Sequence, residues 1–388
     1  MKNHIQVSIF AISAVLAGAS ISASTPAHAD SRYQNVEVAF VLDTTGSMSG
    51  LIEGAKQKIW SIANEIIDVE DNGQTRIRFA LIGYRDRGDA YITRKFDMTD
   101  DIHGIYGNLL EFQAQGGGDR PESVNQALNE AISDLSWSKT PNTLRMVFLV
   151  GDAPPHMDYA NEIQYPGVLA HANTHNIIVN TIQAGSDRET SRVWRKIAYL
   201  GQGDFAMIPQ NGGMQVIQSP YDHDIEQLQQ RVNRTSLGYG NEDQRKQFRS
   251  KRNRAVSASP ETASDMAQYR LKAGKKNQVI TGVQELVEDY EDGKVNLTTI
   301  SKAALPKILQ DLTPAQRKEK VEKLVAERSK LNQKLEALVK QRETFIDTKR
   351  AELESKSGKD AFDTQIRKTI ERQMSTKKPK PQKLEKTP

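Results

Sequence analysis

Three oxygen-bearing side chains, Asp43, Thr45 and Ser47, stand where the apolar run 36–42 empties into a turn marked by Gly46. Hydroxyls at the second and fourth positions after an aspartate can converge with its carboxylate on one hard cation. Magnesium takes about six oxygens at roughly 2.1 Å and keeps water or partner groups in the remaining positions. Two further segments carry matching chemistry. The glycine-rich loop 115–122, Gln-Gly-Gly-Gly-Asp-Arg-Pro-Glu, brings Asp119 and Glu122 to the start of a helix with Pro121 near its first turn. The run 147–150 leads through Gly151 into Asp152, a second aspartate at a strand end. An aspartate in such a place is often only a helix N-cap, so the weight lies in the three segments together.

The elements that must position these groups follow from hydrophobic periodicity. Apolar, β-branched runs at 36–42, 77–84, 145–151, 177–183 and 204–208 predict strands, and 51–67, 121–135, 188–200 and 221–234 carry helical spacing. Alternation of this kind predicts an α/β fold, a doubly wound and mostly parallel sheet with helices on both faces. Ligands of open parallel sheets bind beyond the carboxyl ends of the strands, where Asp43 and Asp152 fall.

In this order the motifs resemble the von Willebrand factor type A domain over about 36–235, whose metal-ion-dependent adhesion site opens with an Asp-x-Ser/Thr-x-Ser turn. Many type A domains place a threonine in the second loop. Here Asp-x-Pro-Glu is instead similar to the loop of the A-like domain in integrin β subunits, and bacterial type A proteins carry a similar Gly-Gly-Gly-Asp-x-Pro-Glu sequence. The resemblance implies a Rossmann-like fold and a divalent cation, magnesium with calcium or manganese as alternatives. It implies Asp43, Thr45, Ser47 and Glu122 as ligands, Asp119 as a central or adjacent ligand, and Asp152 bonding metal-bound water. It further implies a protein partner that completes the metal shell with an acidic side chain.

Composition bounds the rest. A short basic start, an apolar stretch to about position 23 and Ala27-His28-Ala29 predict a signal peptide over 1–29, hence an exported, periplasmic or secreted chain. No other apolar run reaches the roughly 20 residues of a membrane span. Among the 388 residues there is no cysteine, which excludes disulfides, thiolate zinc sites and a cysteine nucleophile. Charge is divided, with residues 30–240 net −9 and 241–388 net +12. The basic half suits solvated helices or acidic partners, and nucleic acid is not expected of an exported chain. The polar stretch 241–275 reads as a linker or basic arm, 276–375 as helical, and 376–388 as a disordered tail. Thr313-Pro314 opens a long helix in which Leu324, Leu331, Leu338 and Phe345 recur every seven residues, while the companions Val321, Arg328, Leu335 and Arg342 are half charged. A coiled coil that joins chains and a helix packed on its own chain are both open.

Weaker candidates are set aside on chemistry. Arg87-Gly88-Asp89 reads as a charged turn, His171 and His175 lack the glutamate of a zinc protease, and Gly116–Gly118 lacks the Lys-Ser/Thr of a phosphate loop. His156 and Asp158 could flank the metal face. The expectation is therefore a metal-dependent protein-binding module that is not an enzyme. A helical scaffold around a structural calcium ion is the alternative, and a metal-assisted hydrolase is a more distant one because no general base is evident.

Overall fold

The computed structural model describes residues 35–68, 76–118, 120–276, 278–356 and 361–375, all within the unit Tyr33–Pro388. The expected signal peptide and C-terminal tail lie outside the described residues, as does Asp119. Six strands form one sheet: β1 (Asn35–Asp43), β2 (Arg76–Tyr84), β3 (Thr93–Thr99), β4 (Thr143–Gly151), β5 (Ile177–Ala184) and β6 (Gln202–Ile208). Their order is β3-β2-β1-β4-β5-β6, parallel except for the antiparallel edge strand β3. The order reverses between β1 and β4, so the crevice at their carboxyl ends lies between Asp43 and Asp152.

Helices cover both faces. One face carries α1 (Ser49–Asp68) and α2 (Ile102–Leu110), the other α3 (Val124–Ser133), α4 (Tyr165–Thr174) and α5 (Arg188–Leu200). Central strands are buried on both sides and read as continuous apolar runs, as β1 and β4 do. Four elements carry little such signal. β3, Thr-Arg-Lys-Phe-Asp-Met-Thr, is an edge strand whose charges face water, and α2, α4 and the region after residue 240 are the others.

The segment 241–275 is not a linker. After α6 (Asp222–Arg234), it forms α7 (Glu242–Val256) and α8 (Pro260–Lys272). Asn241 and Gln244 close a capping box on α7, and Ser259 caps α8 ahead of Pro260. Burial here relies on few and small apolar groups: Phe248, Ala263, Met266, Ala267 and Tyr269, set against α1 and α6. Polar ties supply the rest. Lys251 pairs with Asp101, the cap of α2, Lys272 pairs with Asp68 at 2.5 Å, and Asn64 donates to the Asp265 carbonyl at 2.9 Å.

The remainder is helical: α9 (Leu286–Glu291), α10 (Lys307–Gln310), α11 (Pro314–Lys356) and α12 (Phe362–Ser375). The stripe Val321, Arg328, Leu331, Leu335, Val339 and Arg342 of α11 is buried against α6, α8 and α9 of its own chain. The companion arginines that weaken a coiled-coil seam are the anchors of this packing. Arg328 meets Glu285 at 2.9 Å and both Thr235 oxygens, while Arg342 meets Asp222 at 2.6 Å and Asp265 at 2.8 Å. The acidic and basic portions of the sequence are thus interlocked in one unit. No helix among the described residues is long and apolar enough to cross a membrane.

Candidate metal centre

Asp43 closes β1, fully buried at the sheet's carboxyl edge. Its Oδ1 accepts the Thr45 amide at 2.9 Å and the Thr45 hydroxyl at 2.7 Å, and that hydroxyl stands 3.3 Å from Ser47 Oγ. Its Oδ2 is buried and meets no donor. The turn is fixed from beneath. Thr44 donates to the Tyr84 carbonyl at 2.8 Å, and Arg85, buried beside it, donates to the Thr44 carbonyl at 3.2 Å and the Gln113 carbonyl at 2.6 Å.

The glycine loop packs directly on this turn. Gly46 donates to the Gly116 carbonyl at 3.3 Å and Gln115 to the Thr44 carbonyl at 3.1 Å. Gly117 has φ +85°, and a Cβ there would lie 3.2 Å from Thr45 Cβ and 3.6 Å from Glu122 Oε1, so glycine lets the loop close over both side chains. Glu122 is clamped by its backbone, donating to the Pro154 carbonyl at 3.0 Å and accepting from the His156 amide at 3.1 Å. Its side chain is buried, and Oε2 meets no donor. Asp152 follows β4 half-buried; its Oδ2 accepts Gln210 Nε2 at 2.6 Å, and the same amide reaches the Ser47 carbonyl at 3.3 Å. Gly151 is needed here because a Cβ would strike the Tyr84 hydroxyl at 2.4 Å and approach Asp43 Oδ2 at 3.1 Å.

Five of the six expected ligand residues are therefore described, and their segments come together at one edge of the sheet. Among the described residues no group of three histidines or carboxylates forms a metal cluster by itself; the set here mixes carboxylates with hydroxyls. Electrostatics points the same way. Burial, with the Asp152 charge adding to it against the Thr45 hydrogen bonds, lifts the Asp43 carboxyl to about 7. Burial, then the charges of Asp43, Asp86, Asp89 and Asp152, lifts Glu122 to about 9. Tyr84 is raised well above its usual value by burial and by Asp43, Glu122 and Asp152. Two buried carboxyls with donor-free oxygens and surplus negative potential fit a hard divalent cation.

Sequence reading passed over four contributors. Asp86 accepts Ser123 Oγ at 2.8 Å and the Tyr159 hydroxyl at 2.8 Å, and His156 Nε2 lies 3.4 Å away, so it ties the loop beside Glu122 to the loop after β4. Asp89, within the charged turn 87–89, accepts the Gly117 amide at 3.2 Å and holds the glycine loop. Tyr84 and Gln210 complete the rim. Since β2 neighbours β1, the carboxylate just past its carboxyl end was the available signal for Asp86. His156 does flank the site, with Nδ1 2.8 Å from Asp158, whereas His171 and His175 lie against each other with tilted rings, exposed, at the end of α4.

Residues 37–219 match the family model described as von Willebrand factor A domain, and this segment is such a domain. Curated proteins that it resembles include a putative ariadne-like RING finger protein of Acanthamoeba polyphaga mimivirus, 31% identical over 31% of this chain and 11% of that protein. The rat von Willebrand factor A domain-containing protein 7 is 32% identical over 30% of this chain and 12% of its own. The chain thus spans about a tenth of these relatives. Among solved structures, the SpRpn10 VWA domain is 13% identical with TM-score 0.35, over 46% of this chain and 89% of that one. Proximal thread matrix protein 1 from the mussel byssus, solved with a zinc-occupied MIDAS motif, is 16% identical with TM-score 0.34, over 45% of this chain and 42% of that one.

Proposed function

We propose that this chain is an exported protein-binding module whose contact with its partner depends on a divalent cation at the carboxyl edge of the sheet. The observation that carries the reading is the pair of buried carboxylate oxygens without donors, Asp43 Oδ2 and Glu122 Oε2, beside the Thr45 and Ser47 hydroxyls. Asp43, Thr45, Ser47 and Glu122 would hold the ion, with Asp152 and Asp119 at its margin. Bound magnesium, or calcium or manganese, would supply Lewis acidity toward an oxygen of the partner, for which a carboxylate is the best match. Binding rather than turnover suits the surroundings, because this edge offers carboxylates and hydroxyls to a cation while the His156 imidazole is buried against the Asp86 and Asp158 carboxylates. The basic start, apolar stretch and Ala27-His28-Ala29 of the sequence support the export part of this reading, to the periplasm or beyond the cell, and the exposed faces of the C-terminal helices are available for assembly.

Capture of partners from the exporting cell by the full chain tests this. Binding that is lost with chelator, restored by magnesium or manganese, and absent for Asp43→Ala is the expected result. One contact favours a second reading. Gln210 bridges Asp152 Oδ2 and the Ser47 carbonyl, which covers one side of the rim and suits a calcium ion that only braces the fold. Capture unaffected by chelator, together with a lowered melting temperature, would transfer the function to the helical surfaces.

A further inference from the structure

We infer that the small cavity lined by Trp60, His103, Gln229, Tyr269, Arg270 and Thr281 is a binding site for a single halide ion, chloride under ordinary conditions, held by the Arg270 guanidinium. The cavity is distant in chemistry from the metal centre. It lies where α1, α2, α6, α7 and α8 meet Lys275 and residues 278–281 and has a volume of about 10 Å³, room for one water-sized sphere.

Arg270 is the reason an anion is needed. It is 4% exposed, and its hydrogen bonds run only to neutral oxygens: the Lys276 carbonyl, Asn332 Oδ1 at 2.9 Å and Gln229 Oε1 at 3.2 Å. The two other deeply buried arginines that pack α11, Arg328 and Arg342, each meet a carboxylate within 3 Å. Arg270 has no carboxylate at ion-pair distance among the described residues. Glu336 acts on it from farther off but is itself paired with Lys276 at 2.5 Å, and the Arg328 charge opposes Arg270 directly. Burial accordingly pulls the guanidinium down to about 9. An uncompensated buried cation is costly, and a counter-ion removes most of that cost.

The donor inventory agrees. Arg270 Nε and Trp60 Nε1 are buried donors without acceptors, and both residues line the cavity. Lys275 lines it as well and adds positive charge. His103 is fixed at the cavity wall by Thr281, whose amide lies 3.2 Å and whose hydroxyl lies 2.9 Å from its Nδ1. Water would have to place two protons of its own among these groups, whereas a halide only accepts. The small volume suits a monatomic ion.

Bromide replaces chloride and scatters anomalously, so crystals of the full chain grown in bromide give the direct test. The expected result is an anomalous peak in the cavity beside Arg270 Nε. In solution, replacing gluconate by chloride at constant ionic strength and in chelator should raise the melting midpoint by about 2 °C per tenfold chloride above its dissociation constant. The rise should vanish in Arg270→Met. Should that variant not fold, Trp60→Phe keeps the ring, deletes one donor and should shift the rise to higher chloride. A cavity without bromide density, or midpoints equal in chloride and gluconate, would overturn the assignment.

Discussion

At the carboxyl edge of the sheet Asp43 and Glu122 are buried with oxygens that meet no donor, whereas in the helical layer Arg328 and Arg342 are buried against Glu285, Asp222 and Asp265 with their guanidinium groups met. Both regions bury charge. The Arg328 and Arg342 pairs are finished from within the chain, whereas a region that leaves carboxylate oxygens without donors at the sheet edge is poised to take a cation from solution. The difference teaches where to look for binding: charge completed internally holds the fold, and charge left incomplete awaits a ligand.

Removing one partner in the helical layer should have the largest effect. Glu285→Ala takes the Glu285 carboxylate from the buried Arg328 and should cost about 3–5 kcal/mol in a denaturant titration. Replacing both by methionine should recover much of this. A loss below about 1 kcal/mol for the single change would show that the layer does not depend on its pairs.

The metal face should respond with the opposite sign. The folded Asp43 carboxyl is raised from 3.8 to about 7; its contribution to stability is therefore full below pH 3.8 and is lost as pH rises through about 7. In chelator at pH 8, Asp43→Asn should thus stabilise the chain by roughly 1–3 kcal/mol. The same variant should gain nothing from added magnesium. Destabilisation in chelator would erase the contrast between the two regions.

His103 sharpens the comparison from the acid side. Burial, the largest cause, lowers its pKa from 6.5 to about 3 although Asp101 opposes the shift. A depressed folded value contributes stability that is present above pH 6.5 and lost as pH falls toward 3, at about 1.4 kcal/mol per unit. Denaturant midpoints at pH 7 and pH 5, at fixed chloride, should differ accordingly, and His103→Gln should flatten the difference. The smallest effect belongs to the water-facing side of α11, where Lys323→Ala removes only an exposed pair with Glu319 and should change stability by less than about 0.5 kcal/mol.

Much of the sheet and of the Asp43 turn was legible because buried parallel strands write themselves as apolar runs, and β1 ends in an aspartate while β4 leads directly into one. β3 was not, since an edge strand guarded by Arg94, Lys95 and Asp97 has no such run. The helices α7 and α8 escaped for another reason. Their burial uses Ala263, Ala267 and Met266 and is reinforced by pairs with Asp101, Asp68 and Arg342 from distant positions, so local hydrophobicity understated it. Arginines in the α11 heptads looked like solvated positions and are instead its deepest contacts. At the site, Asp43, Thr45, Ser47 and Glu122 were readable from local motifs, while Asp86, Asp89 and Gln210 enter through loops that only the sheet order brings together.

Calorimetric titration of magnesium and manganese into the full chain and into Asp43→Ala, with far-ultraviolet dichroism recorded on both, tests the central claim most directly. The account predicts one saturable divalent site in the native chain, its loss in the variant, and identical dichroism. Equal binding by both proteins would contradict it, because the cation would then be held without the carboxylate whose oxygen was left unpaired.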